Sequence, residues 1–392
     1  MKKNNLFLLL SFSVLMILTG ISDSLRGVFL PTFQTHFALS STQSSMIIMV
    51  SYIGNLIFLL IGGKLVDKYQ KKPVILCILG IWSAAFLLYT VTDNYWCLLF
   101  GMIFSMGAST LLSTTLNILT PVVFLSSPGL IVNLLGFIQG IGTSGSQNMI
   151  GRFAENISAW HISNGVMLAI TLLMIAAFLF IRFPERVQTA RVVRTSYRET
   201  FRNPAFPFLV IIFGFYFIAE HGIMNWMTTY ATQELGMSLS DGSMYLSFFF
   251  LGYTIGRLVL SPLVDRLGIF RCFGIISTLA AALYIPGILF GRSTILLVCI
   301  SGFFFSILYP TLVLMVNYYY PAGTIATAAG AVISTATLFD IVFNLFFGTL
   351  IDVAGFHNAI YVLPISMGAF WLFYLIFRKA VKPIREIVTE KK

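Results

Sequence analysis

Apolar residues fill nearly every position from Leu6 to Leu30, and the same texture returns along the whole chain between short polar breaks. A helix crosses the hydrocarbon core of a bilayer with about 20 such residues. Twelve spans are predicted on that basis, at 6–33, 44–66, 73–91, 95–121, 128–152, 163–183, 205–232, 242–265, 270–290, 293–319, 323–350 and 357–378. Several run past about 25 residues, which calls for tilt or for extension beyond the hydrocarbon. The first run follows Lys2-Lys3 and so imitates a secretory signal, but it is too long for one and no small-residue cleavage site follows it. It reads as the first membrane helix. The predicted fold class is an all-α integral membrane protein of twelve transmembrane helices in two six-helix bundles.

Composition agrees with that pattern. Of 392 residues, 58% are hydrophobic and 10% charged, with a mean hydropathy of +0.91. Soluble domains carry about 25% charged residues, and no packed globule of this size hides so much apolar surface. The net charge of +10 does not mark a nucleic-acid binder, because the basic residues fall in short clusters between spans. One set of loops holds Lys2, Lys3, Lys64, Lys68, Lys71 and Lys72, the Arg186–Arg202 stretch, Arg266 and Arg271, and the tail from Arg378. The opposite loops hold little beyond Arg152 and Arg292. The excess of Lys and Arg on one side predicts both termini in the cytoplasm of a plasma (inner) membrane protein. Cys77, Cys97, Cys272 and Cys299 show no paired spacing, so neither a disulfide framework nor a metal site is expected. No phosphate-binding loop and no catalytic triad occur. The expected partners are a small-molecule substrate and the lipid bilayer, with no cofactor, no enzymatic activity and a monomeric state.

The two halves repeat. Gly63-Lys64-Leu65-Val66-Asp67-Lys68 follows span two, and Ser261-Pro262-Leu263-Val264-Asp265-Arg266 follows span eight with leucine, aspartate and the basic residue in register. Asn117 with Pro121 is echoed by Asn317 with Pro321, and Asp23 in span one by Glu220 in span seven. The basic stretch 184–204 divides the spans six and six. It separates a bundle at 1–183 from one at 205–380, with a cytoplasmic tail at 381–392. Duplication of a six-helix half marks secondary transporters, which hold substrate near mid-membrane between the repeats.

Charges inside apolar spans are expensive and point to function. Low dielectric penalises a bare carboxylate, so Asp23 is a candidate proton carrier. Arg26 lies on the same helical face at i+3; the competing reading is a static Asp23–Arg26 ion pair. Glu220 is a second candidate proton site, or a ligand for substrate hydroxyls, and Tyr216 shares its face. His221 reads as a hydrogen-bonded core residue. Asp340 is a further intramembrane acid, to be paired with a cation or with substrate. Amides donate and accept hydrogen bonds together. Asn55, Gln139, Asn225 and Asn344, with Tyr216 and with Trp226 as a stacking platform, are therefore the predicted substrate-binding set. Asp67, Lys68, Arg257, Asp265 and Arg266 form the predicted cytoplasmic gate.

The segment Gly63–Lys72 resembles the loop 2–3 signature of the major facilitator superfamily, with Gln70 in place of its usual second glycine. Four further places resemble the fucose–galactose–glucose:proton symporters of that superfamily. These are Gly20–Asp23 with Phe29–Phe33, Asn117 with Asn133–Gln139, Tyr216–Glu220 with Trp226, and Gly252-Tyr253 with Gly256-Arg257. The resemblance implies proton-coupled uptake of a monosaccharide or similar polyhydroxylated molecule by alternating access. Sodium coupling stays open beside proton coupling, and a proton-driven exporter of drugs or metabolites is the alternative. Where fucose carriers have a glutamate in helix four, this chain has Ser113. The departure leaves Asp23 to couple alone or with Glu220.

Overall fold

The computed structural model describes residues 3–124, 128–180, 197–321 and 324–384; the side chains of residues 3–4, 63–68, 121–122, 128–130, 197 and 326 also lie outside the described residues. No strand occurs among the described residues. The helices are α1 (Lys3–His36), α2 (Ser41–Lys68), α3 (Lys71–Val91), α4 (Tyr95–Val123), α5 (Pro128–Met149), α6 (Ile157–Phe180), α7 (Tyr197–Arg202), α8 (Ala205–Gln233), α9 (Leu239–Leu267), α10 (Ile269–Leu289), α11 (Ile295–Phe305), α12 (Leu308–Tyr319), α13 (Ile325–Ala354), α14 (Phe356–Ala359) and α15 (Val362–Ala380). Among the described residues, eleven helical stretches are long and apolar enough to cross a membrane. The predicted fifth span, α5, is not among them: Gln139, Ser144, Gln147 and Asn148 lower its hydropathy, and it packs as a helix against α1.

Two predicted spans are interrupted, each by a proline. Pro310 brings no N–H to the carbonyl of Ser306, and span ten breaks there into α11 and α12. Pro364 does the same to Ile360, whose carbonyl accepts from Leu363 N at 3.0 Å instead, and α14 ends. Helix starts follow caps. Asn94 accepts from Trp96 N and Cys97 N at the head of α4. Asn156 Oδ1 accepts from Ser158 N at 2.8 Å, so α6 begins at Ile157 rather than at the predicted 163. Ser40 and Gln43 form a reciprocal capping box, Gln43 N to Ser40 Oγ at 3.1 Å and Ser40 N to Gln43 Oε1 at 3.0 Å, which starts α2 at Ser41 rather than 44.

The chain forms two compact units. The first comprises residues 1–190 with Asn225–Ser247 and Asn344–Val353, and the second Arg191–Met224, Phe248–Phe343 and Ala354–Lys392. The division departs from a cut at the linker in one respect: the last turns of α8, the start of α9 and the end of α13 belong with the first six helices.

Inside the first unit, close helix crossings depend on missing side chains. A Cβ on Gly20 of α1 would collide with the carbonyl oxygen of Gln139 in α5, and one on Gly54 of α2 with the backbone of Ile103 in α4. Small residues permit such approach where lipid gives helices no hydrophobic reason to associate. Trp160 of α6 packs on Phe29 and Phe33 of α1 and Tyr89 of α3, with ring centroids 4.9–5.4 Å apart. In the second unit, Tyr284 of α10 donates to Ala219 O in α8 at 2.7 Å, and Gly302 of α11 meets the backbone of Phe249 in α9. Near the start of this unit, Asn203 caps α8 through Ala205 N and donates to Tyr319 O, both at 2.8 Å.

Candidate functional site

Asp23 stands midway along α1, one turn beyond the tight Gly20 crossing. Its Oδ1 is buried and has no hydrogen-bond partner. Ser109 of α4 and Arg26 lie within its electrostatic reach. The static Asp23–Arg26 ion pair weighed from sequence does not form. Arg26, 2% exposed, instead donates from Nε to Asn225 Oδ1 at 2.8 Å and from Nη2 to the Tyr52 hydroxyl at 3.1 Å. Its guanidinium also lies 4.7 Å from the centre of the Tyr52 ring, a cation–π geometry. Asn225 Nδ2 donates to the same Tyr52 hydroxyl at 3.0 Å, closing a triangle. The arginine next to the carboxylate is thus held by the second-half residue Asn225, leaving Asp23 without its obvious counter-ion.

The same segments make further contacts with the first six helices. Trp226 donates from Nε1 to Asn344 Oδ1 at 3.1 Å and meets Phe347 edge-on, so α8 and α13 arrive as a bonded pair. At the end of α13, Asp352 accepts from Ser41 N and Thr42 N at 2.9 Å and from the Thr42 hydroxyl at 2.6 Å. With the capping box and Ser44 N to Ser40 O at 2.9 Å, every free amide at the start of α2 has a partner. The carboxylate also sits at the positive end of the α2 dipole. Gln233 donates to Gln34 at 2.8 Å, and Ser247 of α9 to Ser144 O in α5 at 2.7 Å. Together these contacts form a seam at the α1–α2 end of the first unit.

The second unit gathers a different cluster. Glu220, buried at 8% exposure, shares its surroundings with Tyr216, Tyr253, Tyr309 and Arg257. Arg257 donates to the Tyr253 hydroxyl at 3.1 Å with its guanidinium 4.8 Å from that ring. Glu220 and Arg257 are therefore brought together, whereas Asp265 and Arg266, predicted to join Arg257 in a gate, are exposed. Asp67 and Lys68, the other two predicted gate side chains, lie outside the described residues. His221 Nδ1 and Asp340 Oδ2 are 2.9 Å apart, which pairs Asp340 with a side chain of α8.

Of the remaining predicted binding residues, Asn55 accepts from Thr110 at 2.8 Å and is partly exposed, as is Gln139. Asn225, Trp226 and Asn344 are fully engaged as described above, at 0–1% exposure. Sequence reasoning missed Tyr52, the hub of the Arg26 triangle, and Ser109 beside Asp23. It also missed Gln147, which is fully buried with neither amide atom partnered.

Comparisons with known proteins extend this picture. Over 349 residues, 82% of each chain, the protein is 21% identical to the cis,cis-muconate transport protein of Acinetobacter baylyi (strain ATCC 33305 / BD413 / ADP1). Its fold is similar to that of a D-xylose–proton symporter, with a TM-score of 0.78 at 13% identity over 96% of this chain and 98% of that one. It is also similar to the E. coli fucose:proton symporter, with a TM-score of 0.66 at 19% identity over 96% and 99% of the two chains. At such identities the structural likeness speaks for the fold alone. The model of the Major Facilitator Superfamily matches residues 12–343, nearly the whole span of the two bundles. A multi-pass membrane transporter and not an enzyme, the chain belongs to that superfamily.

Proposed function

We propose that the protein is a proton-coupled uptake carrier for a monosaccharide or similar polyhydroxylated molecule, working by alternating access in the plasma membrane. The observation that carries the reading is Asp23: a carboxylate oxygen buried in α1 with no hydrogen-bond partner, its neighbouring arginine held by Asn225 and Tyr52. A proton neutralises such a group, and opening the Arg26–Asn225 bond would return the arginine to it. Proton occupancy and the seam then depend on each other, which is the requirement for coupling. The partly exposed amides Asn55 and Gln139 supply the paired donors and acceptors that a sugar's hydroxyls need. With both termini cytoplasmic, the seam at the α1–α2 end closes the outer side.

One observation favours a second reading, an organic anion as substrate. Arg26 Nη1 is buried without a partner, and a similar protein is named for the transport of cis,cis-muconate. Uptake of labelled sugars and of labelled organic acids into proteoliposomes, with and without an inward pH gradient and with sodium omitted, separates the two. Gradient-driven accumulation of a sugar is expected. Gradient-driven accumulation of the acids alone would transfer the site to the second reading, and accumulation under a reversed gradient would make the carrier an exporter.

A further inference from the structure

The part-buried pair that the coupling scheme leaves unused is His221–Asp340. Asp340 is 1% exposed and the His221 side chain 23%, with Nδ1 2.9 Å from the carboxylate. The position of this pair along its helices gives it leverage. On α8, His221 lies one turn before Asn225, the residue that holds Arg26; on α13, Asp340 lies one turn before Asn344, the residue that holds Trp226. Both helices leave the second unit and enter the first within that turn. The pair therefore clamps α8 to α13 immediately ahead of the segments that build the seam, and rigid helical turns carry its state to Asn225 and Asn344.

We propose that His221–Asp340 is a second proton-binding site, separate from Asp23, whose proton holds α8 and α13 together and so keeps the seam closed. Imidazolium and carboxylate attract strongly in a low-dielectric setting; without the proton a neutral imidazole faces the same carboxylate and the clamp weakens. Phe217 stacks on the imidazole with centroids 5.2 Å apart and contributes no charge. The titratable and charged groups brought up by the surrounding elements are Tyr216 and Glu220 on α8 itself, Tyr253 and Arg257 on α9, Tyr284 on α10 and Tyr309 on α12. From α15, Leu363 abuts Gly222 and Phe373 stacks on Phe215, so this helix brings apolar groups to α8. Among all these groups, His221 is the one whose unperturbed titration falls near neutral pH. The site's role as a coupling step rests on the symport reading, whereas its control of the seam does not.

Closure is read by a disulfide across the seam. The Thr42 and Thr349 hydroxyls are 3.3 Å apart, so Thr42→Cys with Thr349→Cys should cross-link in a background where Cys77, Cys97, Cys272 and Cys299 are replaced by alanine. Substrate-free, full-length carrier is oxidised with copper phenanthroline across a pH series. To compare pH values, each rate is divided by that of a control cysteine pair within one helix. The normalised rate should fall about tenfold between roughly pH 5 and pH 8 in the parent. In an Asp23→Asn background, where the seam no longer answers to that carboxylate, it should be low and flat with His221→Gln or Asp340→Asn, and high and flat with His221→Lys. Asp23→Asn should keep the slope. So should His36→Gln, which removes a second histidine–carboxylate contact, the one to Asp93 at 2.8 Å. Each variant is first required to elute as a single species on size exclusion, so that at least one of the three clamp variants reports on folded protein. A flat parent, a slope that survives when His221→Gln is added to Asp23→Asn, or a slope lost in Asp23→Asn alone would overturn the proposal. Gradient-driven uptake measured on the same proteins keeps the two ideas apart. A flat slope with intact uptake sinks the second site alone, and a retained slope with no gradient-driven uptake sinks the symport reading alone.

Discussion

Each half of this carrier holds an acid–arginine–tyrosine cluster, one around Asp23 and one around its repeat counterpart Glu220, and the two are held in opposite ways. In the first unit, Arg26 lies over the Tyr52 ring and donates to Asn225 rather than to Asp23, whose Oδ1 has no hydrogen-bond partner. In the second, Arg257 lies over the Tyr253 ring within reach of Glu220, and all of its partners belong to its own unit. The stacking distances are nearly equal, 4.7 and 4.8 Å. The difference is therefore not in the arginine–tyrosine contact but in who holds the guanidinium. A cluster held by an arriving helix segment changes when that segment leaves; one held internally does not. On the proposed scheme the first cluster serves coupling and the second forms a steady polar wall.

Removing Arg26 should break the comparison most severely. Arg26→Ala takes the charged donor from Asn225 and Tyr52, and hydrogen bonds to a charged group are worth about 1.5–3 kcal/mol each. A thermal melt of the purified carrier should show that loss, and the Thr42–Thr349 cross-link should disappear. Arg26→Lys should rescue little, because the bond from Nε and the planar stack are specific to guanidinium. Gly20→Val is expected next. Its side chain must displace the α5 backbone one turn from Asp23, at about 1–3 kcal/mol. Gly145→Ala, which meets no atom within 4 Å, should stay within about 0.5 kcal/mol.

Smaller effects sharpen the contrast. Asp352→Ala uncovers the amides of Ser41 and Thr42, a loss of about 0.5–2 kcal/mol by analogy with helix caps. The seam cross-link should slow while substrate affinity measured by equilibrium binding holds. Arg257→Lys should do the reverse. It forfeits the bond to Tyr253 at about 1 kcal/mol, roughly fivefold in affinity, and leaves the seam cross-link unchanged. If Arg257→Lys moved the cross-link as much as Asp352→Ala does, the two clusters would not differ in the way described.

The membrane architecture and Asp23 were legible because both are signals of composition: runs of apolar residues, and one acid inside such a run. The breaks at Ser306 and Ile360 were readable in principle from Pro310 and Pro364, but a proline inside a long apolar run leaves the run intact to any hydropathy window. Helical spacing put Arg26 on the face of Asp23 and was right about the face. It had no means of showing that Asn225, some 200 residues away in sequence, would take the guanidinium. Tyr52 and Ser109 were invisible for a plainer reason, since one hydroxyl in an apolar span is ordinary until a neighbouring helix supplies its partner. Trp226 read as a stacking platform from its residue type. Its bond to Asn344 depends on how α8 meets α13, which spacing on either helix alone does not fix.

The central claim is that Asp23 carries the proton that drives uptake. The direct measurement compares parent and Asp23→Asn in proteoliposomes, following labelled sugar under an inward pH gradient and then by counterflow at equal pH. The parent should concentrate the sugar above its outside level, and Asp23→Asn should exchange it at a comparable rate while failing to concentrate it. Normal gradient-driven accumulation by Asp23→Asn would contradict the account.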